Sequence, residues 1–269
     1  MRYRRLSFSG DTHAFFRQII ETSDSVLLLP EDHRAENVTY DPTWGSDTKH
    51  IGLYTSATTG PAKSIWNSFD RLQKNARITA SAFEITCDDR LLMLAKPWHV
   101  AGLSWALMAE DLGCQYHFMP TRSGESDRWH QAIRQYSPDY LLTVPAVLRV
   151  LFSYDNWHIP SIVFGGSPVE TADYQPLFDH TETIYQGYGQ TEAGGLISCH
   201  KVTSLVDVSE HTCYCYGQPP AAFNIDCTGT PYNPQPIYLK SPTAIYRDYY
   251  NTGDTGYTGS DKLYLLGRS

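Results

Sequence analysis

From Ile51 to Gln186 the chain alternates short apolar runs with stretches whose apolar residues recur at helical spacing, and this alternation constrains the fold most. IGLYT (51–55), RLLMLA (90–95), QYHFM (115–119), YLLTV (140–144) and SIVFGG (161–166) read as buried strands. Between them, Ile65, Phe69, Leu72, Ala76 and Phe83 keep roughly helical spacing. Trp129, Ile133 and Tyr136 do the same, as do Val147, Leu148 and Leu151 after Pro145. Such alternation implies an α/β fold with a mostly parallel sheet flanked by helices. Past Gly195 the runs shorten to FNIDC, PIYL and KLYLL among Pro, Gly, Thr and Tyr, so the tail is expected to be β-rich. The expected division is an α/β subdomain over 51–200 and a β-rich subdomain over 201–269. Residues 1–50 would form an extension packed on the core, with one helix (11–22) and one strand (25–29).

The 269 residues, 41% hydrophobic and 19% charged, suffice for a large packed core. A formal net charge of -8 argues against a nucleic-acid partner, which needs a basic face. A local cluster of donors can still hold a small anion. No apolar run is long enough to span a bilayer. The opening MRYRRLSFSGDTHAFF carries positive charge without an apolar stretch behind it, unlike a secretory leader. The six cysteines (87, 114, 199, 213, 215 and 227) show no zinc spacing and read as free thiols, so the expected compartment is the cytoplasm.

Three segments carry chemistry. In YTSATTGPAK (54–63) a strand enters a loop of small hydroxyl residues, then Gly60 and Lys63, and then a segment read as a helix. Small residues let backbone N–H groups approach an anion, hydroxyls add donors, and lysine adds charge. The common P-loop spacing is absent, and a loop that merely caps the helix is the alternative. In YQGYGQTEAGG (185–195) a strand is read to end in a Gly-Tyr-Gly turn before Thr191 and Glu192. The carboxyl end of a parallel strand is where open α/β sheets bind ligands, and a carboxylate beside a hydroxyl suits Mg²⁺ with phosphates. The alternative is a glycine turn with a solvated glutamate. In YYNTGDTGYTGSDKLYLLGRS (249–269), Asp254 follows a Thr-Gly turn and Arg268 closes a strand, a pair able to hold ribose hydroxyls and a phosphate. The alternative is a turn aspartate and a solvated arginine.

In this order and at these separations, the segments resemble the adenylate-forming superfamily of acyl-CoA synthetases, adenylation domains and luciferases. YTSATTGPAK resembles the family's YTSG[ST]TGxPK, with Ala57 in place of a glycine and the proline shifted to Pro61. The family's YGxTE is matched by Tyr188, Gly189, Gln190, Thr191 and Glu192. Its TGD and GR are matched by Thr252, Gly253, Asp254, Gly267 and Arg268. PWHVAGLS (97–104) resembles its PxxHxxG segment, and GGSP (165–168) its adenine-facing GGxP segment. HVAGLS and KSPTAIYRDY most resemble o-succinylbenzoate-CoA ligases of menaquinone synthesis.

The resemblance, covering about residues 50–269, implies the large N-terminal domain of an acyl-CoA synthetase. It implies ATP, Mg²⁺ and CoA as cofactors and a small carboxylic acid as substrate. Thr55, Ser56, Thr58, Thr59, Gly60 and Lys63 would hold the β- and γ-phosphates, and Gly165, Gly166, Gly187 and Tyr188 would frame the adenine. Thr191 would touch the α-phosphate, Glu192 would hold Mg²⁺, Asp254 and Arg268 would hold the ribose, and His99 would line the acyl pocket. In the family the chain continues past GR into a small mobile domain whose lysine contacts the reacting groups, and these residues run to Ser269. The expectation is therefore binding with slow chemistry, completed by a C-terminal domain fused or supplied in trans. A weak or inactive nucleotide- or acyl-binding module is the alternative. A hydrolase of α/β type lacks its GxSxG elbow here.

Overall fold

The computed structural model describes residues 3–29, 48–54, 64–167, 171–204 and 214–268. Its first sheet comes from the opening of the chain. Strand β1 (Tyr3–Ser7) lies parallel to β2 (Ser25–Leu29), with helix α1 (Thr12–Glu21) between them in sequence. Asp11 caps α1 by accepting from the Ala14 N–H at 3.0 Å, and the helix buries Phe15, Phe16 and Ile19. β3 (His50–Tyr54) pairs parallel with β2, and β4 (Ser64–Ser68) pairs antiparallel with β3.

This departs from the sequence expectation in two ways. The run that begins at Ile51 lies in β3 of the first sheet rather than in the main one, and Ile65 lies on β4 rather than on a helix. Ile65 sits four residues before Phe69, so a strand residue falls by chance on the helical period. Helix α2 (Phe69–Ala82) begins where Ser68 accepts from the Arg71 N–H at 3.4 Å. It buries Leu72, Asn75, Ala76, Thr79 and Ala80.

The main sheet follows the expected alternation. Its elements are β5 (Arg90–Ala95), α3 (Val100–Leu112), β6 (Gln115–Pro120), α4 (Ser126–Tyr136), β7 (Tyr140–Thr143), α5 (Pro145–Leu151), β8 (Ser161–Gly165), α6 (Thr171–Phe178), β9 (Thr183–Gln190) and β10 (Gly195–Val202). The strand order is β10-β9-β8-β7-β5-β6, parallel throughout except for antiparallel β10. Both faces are covered, so the strands read as continuous apolar runs. Leu91, Met93, Leu142 and Val163 pack on one side with α2 and α3, while Leu92, Leu94, Leu141 and Ile162 pack on the other. Helix α3 is buried from Gly102 to Ala109 and also touches α1, so the first and main sheets share one core.

The third sheet is antiparallel, in the order β11-β15-β14-β13-β12. It comprises β11 (Tyr214–Cys215), β12 (Asn224–Asp226), β13 (Gln235–Lys240), β14 (Tyr250–Gly259) and β15 (Lys262–Arg268). The runs FNIDC, PIYL and KLYLL mark β12, β13 and β15. β14 has no apolar run, because Thr252, Asp254 and Gly256 occupy its buried positions before Tyr257. Ser260 and Asp261, at φ 51 and 62, turn β14 into β15 through the left-handed geometry of a two-residue hairpin. Among the described residues no helix is long and apolar enough to cross a membrane. Cysteines 87, 114, 199, 215 and 227 are free, and burial pushes the Cys199 thiol up to about 12. Cys213 lies outside the described residues.

The contact between β5 and α3 yields a stability test. A Cβ on Gly102 would stand 2.3 Å from the Lys96 carbonyl oxygen and 3.2 Å from the Phe118 ring. Gly102→Ala is therefore expected to cost about 1–3 kcal/mol in urea unfolding, as overpacking does. An unchanged unfolding midpoint would show that the β5–α3 junction is not close-packed.

Candidate active site

Parallel strands β8 and β9 end side by side, with Gly165 in register with Gly187. Bare backbone is required there. A Cβ on Gly165 would lie 2.5 Å from the Gly187 carbonyl oxygen, and one on Gly189 would lie 2.5 Å from that of Gly195. Gly166 follows at φ +88. The GYG triplet thus lies within β9, and the turn comes after it, at Thr191–Gly194. Sequence reading alone starts that turn four residues too early, at Gly187 rather than Thr191, because glycines that permit close strand approach look like turn residues.

A cavity of about 420 Å³ opens at this edge, between the strand ends, α2 and α3. Five residues expected at the site line it: His99, Gly165, Gly166, Gly187 and Tyr188. Phe83, Trp105, Val144, Phe164 and Leu196 make the rest of the wall largely apolar, while Lys96 and Ser104 add polar groups. His99 is the residue that precedes α3. Burial, and then the nearby Lys96 ammonium, hold its imidazole below the usual histidine range, so the ring is neutral at pH 7.

Beyond Tyr188, Asp254 forms a second centre. It is 6% exposed, and its Oδ2 accepts from the Tyr188 hydroxyl at 2.6 Å and from Gln190 Nε2 at 2.6 Å. Gln190 Nε2 also donates to the Thr252 carbonyl at 2.9 Å, which fixes the amide. Burial and the Asp254 carboxylate raise the Tyr188 phenol well above its ordinary value, so it stays a donor. Arg268 pairs directly across from Asp254 on β15, with Nε 3.2 Å from Oδ1 and a side chain 70% exposed. The carboxylate therefore has one oxygen engaged from below and one turned toward an exposed guanidinium.

Directly after Gln190 comes the turn carrying Thr191 and Glu192, both half-buried. Among the described residues no hydrogen bond or ion pair engages the Glu192 carboxylate. Its charge acts on Tyr246 and Tyr250, whose phenols are raised first by burial and then by Glu192. A half-buried carboxylate with free lone pairs at a strand's carboxyl end fits the hard-cation role expected of it.

The expected phosphate-holding residues Thr55, Ser56, Thr58, Thr59, Gly60 and Lys63 lie outside the described residues. Their flanks correct one expectation. The segment lies between β3 and β4, so the element after Lys63 is a strand, and the helix-start argument does not apply. Sequence reading missed Gln190, at the variable position of YGxTE, and the cavity residues Lys96, Ser104 and Trp105. It also missed Asn75, whose signal was a polar residue on the apolar stripe of α2.

This geometry can be set beside known proteins. The chain is 26% identical to 2-succinylbenzoate–CoA ligase from Bacillus subtilis over 94% of its length, covering 55% of that protein. It is 22% identical to 3,4-dihydroxybenzoate–[aryl-carrier protein] ligase from Bacillus anthracis over 80% of its length, covering 50% of that protein. The chain therefore spans about half the length of the curated relatives it matches. Its fold is similar to that of O-succinylbenzoate coenzyme A synthetase from Bacillus subtilis, solved in complex with ATP and magnesium ion. That match has a TM-score of 0.71 at 20% identity, over 97% of this chain and 64% of the other. The family model for the AMP-binding enzyme matches residues 18–231. With most of its length matched and the YGxTE and TGD segments meeting at the strand ends, the chain belongs to the AMP-binding enzyme family.

Proposed function

We propose that this chain activates a carboxylic acid with ATP, forming an acyl-adenylate for transfer to CoA, with an aromatic acid of the o-succinylbenzoate type as substrate. The observation that supports it most is the juxtaposition at one sheet edge of a largely apolar cavity, the Asp254 carboxylate and the turn bearing Glu192. The relatives' named activities support the acid and the thiol acceptor.

In this reading Gly165, Gly166, Gly187 and Tyr188 frame the adenine, and Asp254 and Arg268 receive the ribose hydroxyls. Tyr188 and Gln190 hold the carboxylate of Asp254 in place, so little ordering remains to be done when the nucleotide binds. The acyl body enters the cavity past His99, whose neutral ring offers one donor and one acceptor without drawing in water as an imidazolium would. A carboxylate oxygen of the acid attacks the α-phosphorus, the bond to the bridging oxygen breaks, and pyrophosphate leaves. Thr191 donates to the α-phosphate. Thr55, Ser56, Thr58, Thr59, Gly60 and Lys63 hold the departing phosphates. Glu192 supplies the carboxylate for Mg²⁺, which when bound offsets the charge of the triphosphate. Catalysis on these residues is positioning and charge stabilisation rather than proton transfer.

Two tests follow from this assignment. Asp254→Asn should weaken binding of an acyl-sulfamoyl adenosine analogue, and Glu192→Gln that of Mg²⁺·ATP. Each loss should be about tenfold or more, the scale of a lost hydrogen bond to a charged group, with both variants still folded by circular dichroism. Isothermal titration reads both, and wild-type affinity in both variants would remove the assignment. Separately, His99→Ala should change the ranking of carboxylic acids in competition with the analogue while ATP affinity stays within about twofold of wild type. Equal losses for acid and nucleotide would return His99 to an ordinary packing role.

A further inference from the structure

Asn75 is a fully buried amide on α2, at 0% exposure, and it touches neither the adenine frame nor the ribose centre. Its Oδ1 accepts from the Leu196 N–H at 2.9 Å and its Nδ2 donates to the Leu196 carbonyl at 2.9 Å. The side chain thus pairs with the N–H and C=O of one residue of β10 as a neighbouring strand would. Thr79 adds a hydroxyl 3.3 Å from the same Oδ1. A Cβ on Gly195 would stand 2.4 Å from that oxygen, so the glycine is what lets the amide reach the backbone.

The same amide extends to the third sheet. Asn75 Nδ2 lies 3.3 Å from the hydroxyl of Thr243, itself 0% exposed in the connection between β13 and β14. Thr243 Oγ1 donates to the Ala193 carbonyl at 2.7 Å, and the Ile245 N–H donates to the Glu192 carbonyl at 2.9 Å. From β4, Asn67 Nδ2 donates to the Thr243 carbonyl at 3.2 Å. The backbone is therefore engaged at Glu192 and Ala193 within the turn and at Leu196 just after it, while Thr191 and Glu192 at the turn's start are half-buried. A buried amide left without its partners costs more than the bonds it makes, so this arrangement has one register.

We propose that Asn75, acting through Thr243 and the Leu196 backbone, is a positioning residue that aims Thr191 and Glu192 at the phosphate and metal end of the bound nucleotide. The proposal rests on the reading of that turn given under Proposed function. Asn75 contacts no ligand itself. It fixes the backbone that carries two ligand-facing side chains, so it should matter for the phosphates and not for the nucleoside.

The test uses the full chain and two probes, adenosine and Mg²⁺·ATP, titrated into the wild type, Asn75→Ala, Thr243→Val and Glu192→Gln. Asn75→Ala is expected to weaken Mg²⁺·ATP binding about tenfold while adenosine affinity stays within about twofold. Thr243→Val should reproduce the split more weakly, and it carries the test if Asn75→Ala does not fold. The double variant should lose less than the two single losses combined, because both act on one network. A purely structural role would lower both affinities in proportion. That result, or wild-type Mg²⁺·ATP affinity in folded Asn75→Ala alongside a weakened Glu192→Gln, overturns the positioning role alone. Wild-type Mg²⁺·ATP affinity in Glu192→Gln overturns the reading of the turn, and the proposal with it.

Discussion

The pairing of the Asn75 amide with the Leu196 backbone is the contact on which the rest of the site depends. Among the described residues there are three sheets, and each contributes to the turn after β9. The first sheet reaches it through Asn67 on β4 and through α2, which follows β4 directly. The main sheet supplies the turn itself, and the third sheet supplies the residues from Thr243 to Ile245. Apolar contact alone would leave these layers free to slide, since burial is non-directional. A buried amide with fixed donor and acceptor is directional. It sets where the turn stands relative to β8, β9 and β14.

Around that anchor the chain uses small residues to bring backbones together and large ones to wall off a pocket. Gly165, Gly187, Gly189 and Gly195 sit where a Cβ would strike another main chain or side chain. Trp105, Phe83 and Phe164 line the adjoining cavity. The charges follow the same division. Asp254 is buried but doubly bonded and faces Arg268, whereas Glu192 is half-buried with its lone pairs free. Under the proposed function, the first carboxylate receives the ribose hydroxyls and the second is left for a cation. The neutral His99 ring belongs to the apolar side of this division.

The sequence made the main sheet legible because its strands are buried on both faces and write themselves as apolar runs, as RLLMLA does in β5. β14 was not legible. Its buried face is built from Thr252, Asp254 and Gly256, and a strand whose inward positions are polar or bare has no hydrophobic signal. β4 was hidden for the opposite reason, since Ile65 continued the helical period of α2 back across a strand. At the site, the motifs located His99, Tyr188, Glu192, Asp254 and Arg268 at one edge of the fold but could not reveal what secures them. Asn75 and Thr243 are 168 residues apart and meet only through tertiary packing. Gln190 stood inside a recognised motif, yet at the position where the motif is silent.

The most direct measurement is a crystal structure of this chain with a hydrolysis-resistant acyl-adenylate analogue bound. The account predicts the ribose hydroxyls on Asp254, the adenine along Gly165 and Gly187, and the acyl group in the cavity beside His99. It also predicts that the Asn75–Leu196 pairing stays as it is without ligand. An analogue bound elsewhere, or seated at this edge with its acyl group outside the cavity, would contradict it.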